Sequence, residues 1–248
     1  MLVMVGTVHR DPGGYARLSR ILERERPDLI TVEVSPYSRL FRAEESSALR
    51  NTLRENLRKI QKEEGRPLSD FLSRGAIMGI FFLLKEPFEW RAAKSYAHRY
   101  GIVIHDIDLS IFSKVNLAHL SELIAVENLR TLLRLHIPSF SEQVKTQYSR
   151  AEFLFHHPPS FWPAPKELKE REAYMAEKIR KFAQGGNGEK ILHVGGWEHL
   201  IDDPDGNSLF ALLQDLQPKR VLLNTFKNLS TKSVDKVWKT LGIEFKTQ

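Results

Sequence analysis

Short apolar runs alternate with longer amphipathic ones from the first residue onward. Leu2–Val5 is an apolar run closed by Gly6, and Pro12-Gly13-Gly14 marks a turn. Tyr15, Leu18, Ile21 and Leu22 then recur at helical spacing until Pro27-Asp28 stops the pattern. Leu29–Val34 follows as a β-rich run. Strand, helix and strand within about thirty-five residues predict a βαβ unit with parallel strands. Strands this short and uniformly apolar suit burial on both faces.

Further along, Glu44–Glu64 is dense in Glu, Arg and Lys, with Leu49, Leu53, Leu57 and Ile60 on one stripe. Because both charge signs interleave, the pattern predicts a solvated amphipathic helix. Asp70–Leu84 predicts a largely buried helix and Phe88–Tyr100 another, with Ile102–Ile107 as a third strand. Helical spacing returns at Leu117–Leu135, Phe140–Phe153 and Lys166–Phe182. His156-His157-Pro158-Pro159, with Pro163 and Pro165, reads as loop. Lys190–Gly195 is a fourth strand after a Gly-Gly-Asn-Gly turn. Ser208–Leu216 is a helix, Arg220–Thr225 a fifth strand, Val234–Leu241 a helix and Ile243–Lys246 an edge strand. No linker, low-complexity tract or repeat divides the chain. The expectation is one α/β domain over residues 1–248, a mainly parallel central sheet flanked by helices, with helical insertion roughly at 44–84 and 110–182.

Composition narrows the chemistry more than the fold. The chain of 248 residues contains no cysteine, which removes disulfides, thiolate nucleophiles, Cys-ligated zinc and iron–sulfur clusters. Any metal site is therefore restricted to nitrogen and oxygen ligands. The chain opens on an apolar strand with no basic segment before it, unlike a secretory signal. The longest apolar run, Ala76–Leu84, is about half of what a membrane-spanning helix needs. A cytoplasmic protein without a membrane span is the expectation. The formal net charge of +6 and the Arg-rich segment Arg50–Arg66 permit a polyanion partner. No aromatic interleaving or nucleic-acid motif accompanies them, so nucleic acid is not the expected partner.

In open α/β sheets ligands bind outside the carboxyl ends of the strands. The residues at those ends form a short list. Gly6-Thr7-Val8-His9 follows the first strand, and Glu33 closes the second. His105-Asp106-Ile107-Asp108 closes the third, and Gly195-Gly196-Trp197-Glu198-His199 follows the fourth. These His, Glu and Asp side chains serve metal ligation and acid–base work. Glu33 is the most telling, because a carboxylate in an apolar strand is costly to bury unless paired. It argues for a cation, a hydrogen-bond network or a solvent-lined cleft. One of Asp106 and Asp108 reads more simply as the cap of the following turn.

Gly6-Thr7-Val8-His9, Pro27-Asp28-Leu29-Ile30-Thr31-Val32-Glu33 and the second Gly-x-x-His at Gly196–His199 together resemble the TraB/PrgY/Tiki family. That family belongs to a broader group with erythromycin esterase-like and ChaN-like proteins. Glu89-Trp90-Arg91-Ala92-Ala93 and Glu170-Arg171-Glu172-Ala173-Tyr174-Met175 resemble two further family blocks, in the same order along the chain. Three positions depart from the pattern: Ile107 stands where an Arg usually follows the strand-end Asp, Glu172 replaces an Asp, and Arg39 comes one residue late. The resemblance implies a site using His9, Glu33 and His199, supported by Glu89 and Arg171, and hydrolysis of a peptide or small amide or ester.

In the metal-dependent form, His9, Glu33 and His199 hold Mn, Co or Zn, Glu89 is the general base and Arg171 steadies an oxyanion. In the metal-free form, His9 is the base and Glu33 orients it. Thr7, Gly6, Gly196, Trp197 and Asp106 are the candidates for contacting substrate. A non-catalytic alternative is a cleft that sequesters a peptide or haem, with His105, His156 or His157 as axial ligand.

Overall fold

The computed structural model describes residues 1–72, 74–135, 137–162, 165–186 and 189–225. Five strands form one sheet: β1 (Leu2–Thr7), β2 (Leu29–Val32), β3 (Val103–Asp106), β4 (Ile191–Gly196) and β5 (Lys219–Leu222), in the order β3-β2-β4-β1-β5. Every pairing is parallel, with Thr7 opposite Gly196 and Val32 opposite both Val194 and Asp106. The α/β expectation therefore holds. The helices in chain order are α1 (Gly14–Glu25), α2 (Pro36–Glu64), α3 (Leu68–Leu72), α4 (Gly75–Leu83), α5 (Phe88–Tyr100), α6 (Ser110–Ala118), α7 (Leu120–Leu123), α8 (Val126–Arg134), α9 (Phe140–His156), α10 (Lys166–Gly185) and α11 (Leu209–Leu212).

Alternation along the strands supplies two core faces. Val3, Val5, Ile30, Val32, Leu192 and Val194 pack against Leu18, Ile21 and Leu22 of α1 and Trp90, Ala93 and Tyr96 of α5. Leu2, Met4, Leu29 and Ile191 pack against Met175, Ala176 and Ile179 of α10 and Leu209 and Phe210 of α11. A third core has no strand in it: Leu53, Leu57 and Ile60 of α2 meet Ile77 and Phe81 of α4 and Leu117, Leu129 and Leu133 of α6 and α8. This third core takes in helices of the expected insertion up to α8, whereas Tyr148 and Ala151 of α9 and Met175 of α10, within the expected 110–182, pack in the two sheet cores.

Several elements differ from the sequence expectation for local reasons. Helix α2 starts at Pro36 rather than Glu44. Ser35 caps it by accepting from Ser38 N (3.1 Å), and proline suits the first helical position. The stretches 70–84 and 117–135 are each divided, because extended residues at Arg74 (ψ 128°) and Ala125 (ψ 150°) restart the helix at α4 and α8. Helix α9 runs through His156 and is capped by His157, so the His-His-Pro-Pro segment is loop only from its C-terminal half onward. The predicted helix Ser208–Leu216 is a single turn, α11, followed by a 3-10 turn at Gln214–Leu216. The readings at Val234–Leu241 and Ile243–Lys246 lie outside the described residues. Among the described residues no helix is long and apolar enough to cross a membrane.

Candidate functional site

Three strand ends and two helices deliver the polar cluster. His9 stands in the loop after β1, which buried Asp11 shapes. Asp11 accepts from Gly13 N (2.9 Å) and from the Tyr148 hydroxyl (2.9 Å), and pairs with Arg17. Glu33 continues the β2 ladder by one residue, its N–H donating to Val194 O at 2.9 Å. His199 lies on the 3-10 turn Trp197–Leu200 that follows β4. Helix α5 brings Glu89 from one face of the sheet. Helix α10 brings the adjacent residues Arg171 and Glu172 from the other.

These side chains form one chain of contacts. His9 Nδ1 is 3.0 Å from Glu89 Oε1, and His9 Nε2 is 3.6 Å from Glu33 Oε2. On the far side, His199 Nε2 is 2.9 Å from Glu33 Oε1, and His199 Nδ1 is 2.5 Å from Glu172 Oε1. Arg171 pairs with Glu33 and donates from Nε and Nη2 to Asp108 (2.6 and 2.8 Å). Gly196 N donates to Glu33 Oε2 at 2.6 Å, and the Thr7 hydroxyl donates to Glu89 Oε1 at 2.9 Å. Gly196 leaves room for the His9 ring: a Cβ there would stand 2.9 Å from His9 Nε2 and would push the ring aside.

Charge follows from this geometry. Glu33, Glu89, Asp108 and Glu172 are all buried, and among the described residues Arg171 is the one permanent cation paired within the cluster. Four carboxylates against one guanidinium leave three negative charges, reduced to one when both imidazoles are protonated. Burial by itself would lower the His9 pKa, but Glu33 and Glu89 outweigh it and raise it to about 10. Burial likewise opposes protonation of His199, yet Glu33 and Glu172 hold its pKa well above the ordinary value. Burial works against ionisation of Glu33 too, and His199, Arg171 and His9 overcome it, keeping its pKa well below normal. At neutral pH the resting site thus holds two imidazolium ions around an ionised Glu33.

Only one imidazole is open. The His9 side chain is 50% exposed and the His199 side chain 6%. His9, Glu33, Glu89, Asp108 and Arg171 line a cavity of about 720 Å³ that runs along α2, α4 and α5 and reaches Asn116 and Leu117 of α6.

The structure brings together His9, Glu33, Glu89, Arg171, His199, Thr7 and Gly196. It sets the other candidates apart. Asp106 pairs with Arg39 at 2.8 Å and does not join the cluster; Asp108, two residues on, holds Arg171 instead. Gly6 lies beneath, where a Cβ would meet Trp197 Cα at 3.1 Å. Trp197 is a buried core residue packed edge-on to Trp162. None of His105, His156 and His157 lines the cavity: His105 stacks on Phe182, and His157 on Phe153. Two further residues belong here without having been candidates: Glu172, quoted above only as a departure within its motif block, and His193. His193 is fully buried on β4, with Nδ1 3.0 Å from Thr31 Oγ1 across the sheet. An unbroken β pattern around it carried no signal of its position under Glu33.

Glu33 is already engaged at Oε1 by Arg171 and His199 and at Oε2 by Gly196 N. Among the described residues no group of three or more His, Asp or Glu has the geometry to hold an ion. Comparison with family profiles, with curated proteins and with solved structures gave no match, so the likeness to the TraB/PrgY/Tiki family rests on the motifs quoted above.

Proposed function

We propose that the protein hydrolyses small amide or ester bonds, peptides included, with His9 as the group that moves the proton. The observation that carries this reading is the carboxylate–imidazole pair Glu89–His9, the one imidazole of the cluster open to the cavity. Glu89 fixes the proton on Nδ1 and leaves Nε2, 3.6 Å from Glu33 Oε2, as the exchangeable position. In its neutral form His9 takes a proton from the attacking water. As imidazolium it returns that proton to the leaving oxygen or nitrogen. Glu33 holds the charge that this cycle creates, and its own position is fixed by Arg171 and Gly196 N. The Nη1 group of Arg171 is used in neither of its ion pairs and is available to a developing oxyanion.

The test is hydrolysis of a panel of chromogenic esters and anilides by chelator-treated protein. Turnover lost in His9→Gln but retained in EDTA supports the reading. Turnover undiminished in a folded His9→Gln protein refutes it.

One observation favours a second reading, a divalent metal. Both imidazoles rest their Nδ1 atoms on buried carboxylates and turn Nε2 toward the same Glu33, the outer-shell pattern that orients metal-ligating histidines. His9, His199 and Glu33 would hold the ion, Mn, Co or Zn, after loss of the two imidazolium protons and a shift of these side chains out of the arrangement described above, which does not itself form a metal site. The ion would polarise the scissile carbonyl and lower the pKa of water. Activity abolished by EDTA and restored by one of these metals, with stoichiometric metal in the protein, would replace the first reading by the second.

A further inference from the structure

Beyond His9 and Glu33 the cavity wall turns basic, with Arg10, Arg42, Lys85 and Arg91 all facing it. The acids on the same wall are mostly spoken for. Asp11 pairs with Arg17, Glu33 and Asp108 with Arg171, and Glu89 with His9. Among the described residues Arg10, Arg42 and Arg91 make no ion pair. Arg42 donates from Nε to Leu83 O and from Nη1 to Ser38 O, both at 3.1 Å, and these neutral acceptors leave its charge uncompensated; Glu86 and Glu89 reach it only at longer range. Arg91 lies over the Tyr15 ring at 5.2 Å, and its buried Nε has no hydrogen-bond partner among the described residues.

Arg10 adds a second kind of signal. It is a non-glycine residue in the left-handed region (φ 67°), directly after His9, and its Nη1 would stand 3.5 Å from a Cβ at Gly79. Backbone strain beside a reactive residue persists where the surroundings over-determine it. Burial lowers the pKa of both Arg10 and Arg42. Lys85 is drawn down to about 8 by burial and by the charges of Arg91, Arg50 and Arg54. Partly desolvated like charges facing one space are unfavourable unless an anion completes them, and guanidinium forks match carboxylate and phosphate oxygens.

We infer that Arg10, Arg42 and Arg91 form an anion-binding subsite, and that the substrate joins a carboxylate or phosphate group to an apolar body. Phe82, Leu83 and Phe88 on the same cavity wall receive that body. This names the substrate class of the proposed hydrolase and rests on that reading.

The experiment is calorimetric titration at constant ionic strength with three probes: benzoylglycine, phenyl phosphate and neutral benzamide. One of the two anions binds one-to-one at least tenfold more tightly than benzamide, and which of them is tighter identifies the oxyacid. The affinity falls at least tenfold in Arg10→Gly/Arg91→Gln and is unchanged in Lys59→Gln, on the exposed face of α2. Arg10→Gly keeps the left-handed backbone without strain, and Arg42→Lys is a second variant that retains charge but loses the fork. Equal binding of benzamide, or undiminished affinity in the double variant, overturns the subsite. Anion binding in a protein that hydrolyses no ester or anilide would leave the subsite standing and remove the hydrolase. Hydrolysis of neutral and anionic substrates with equal kcat/KM would do the reverse.

Discussion

His193 offers the most quantitative test of how this sheet is built. It lies at 0% exposure on β4, and burial pushes its pKa down to about 3, against a partial opposing pull from Glu33 and a further push from His199. In the unfolded chain the same imidazole titrates near 6.5. Above that value neither state binds the proton, and the residue contributes its full share of stability. As pH falls through the gap, the unfolded state takes up a proton that the folded state refuses, and stability is lost until the folded pKa is reached. At about 1.4 kcal/mol per pH unit, the loss between pH 7 and pH 4 amounts to about 3 kcal/mol from this residue alone. The assay is urea unfolding of the wild type and of His193→Gln at both pH values. Gln preserves polar volume and a hydrogen bond toward Thr31 but cannot titrate. The wild type should lose about 3 kcal/mol more than the variant over this interval. Equal losses would refute the claim that His193 is buried in its neutral form.

Three other outcomes follow from the cluster. If His9 must be neutral to accept a proton, kcat/KM rises with pH toward about 10. Glu89→Gln, which removes one of the charges that raise the His9 pKa, moves that ascending limb to lower pH; a limb that does not move would exclude His9 as its source. Gly196→Ala places a Cβ 2.9 Å from His9 Nε2 and should reduce turnover at least about a hundredfold with the fold intact. Gly185→Ala, which meets nothing within 4 Å, serves as its control, and turnover and circular dichroism read both. Glu33→Gln leaves His199 and Arg171 without their shared carboxylate and should cost about 3–5 kcal/mol of stability by urea titration, as breaking a buried pair does.

The sheet and the residues at its strand ends were legible because both depend on short-range pattern and one topological rule. Apolar runs located the five described strands to within about three residues, and the rule that ligands gather at carboxyl ends put His9, Glu33 and His199 on a list with His105, Asp106 and Asp108, from which the motif resemblance chose. Helix breaks were not legible. A single extended residue, Arg74 or Ala125, interrupts a helix without disturbing the apolar spacing on either side of it. Nor could spacing distinguish Asp106 from Asp108. They flank Ile107, which is buried, and two residues at the end of an edge strand suffice to send one carboxylate to Arg39 and the other to Arg171.

This division has a chemical consequence. Strand ends determine where the reactive groups meet, and helix faces add to the charge that acts on them. Glu89 arrives from α5 on one side of the sheet, and Arg171 and Glu172 from α10 on the other. No rule about strand order fixes the rotation of either helix about its axis. Without Glu89 and Glu172, Glu33 would still raise both imidazole pKa values, but each proton would be held by one carboxylate instead of two. With both acids present the three-residue motif becomes a buried site with a charge deficit. Two protons fill most of that deficit. How firmly the two imidazoles keep their protons therefore depends on Glu33 first and on the helix-borne carboxylates second. Substituting Glu172 with Gln should weaken the hold of His199 on its proton and on a metal alike, whichever of the two the site uses.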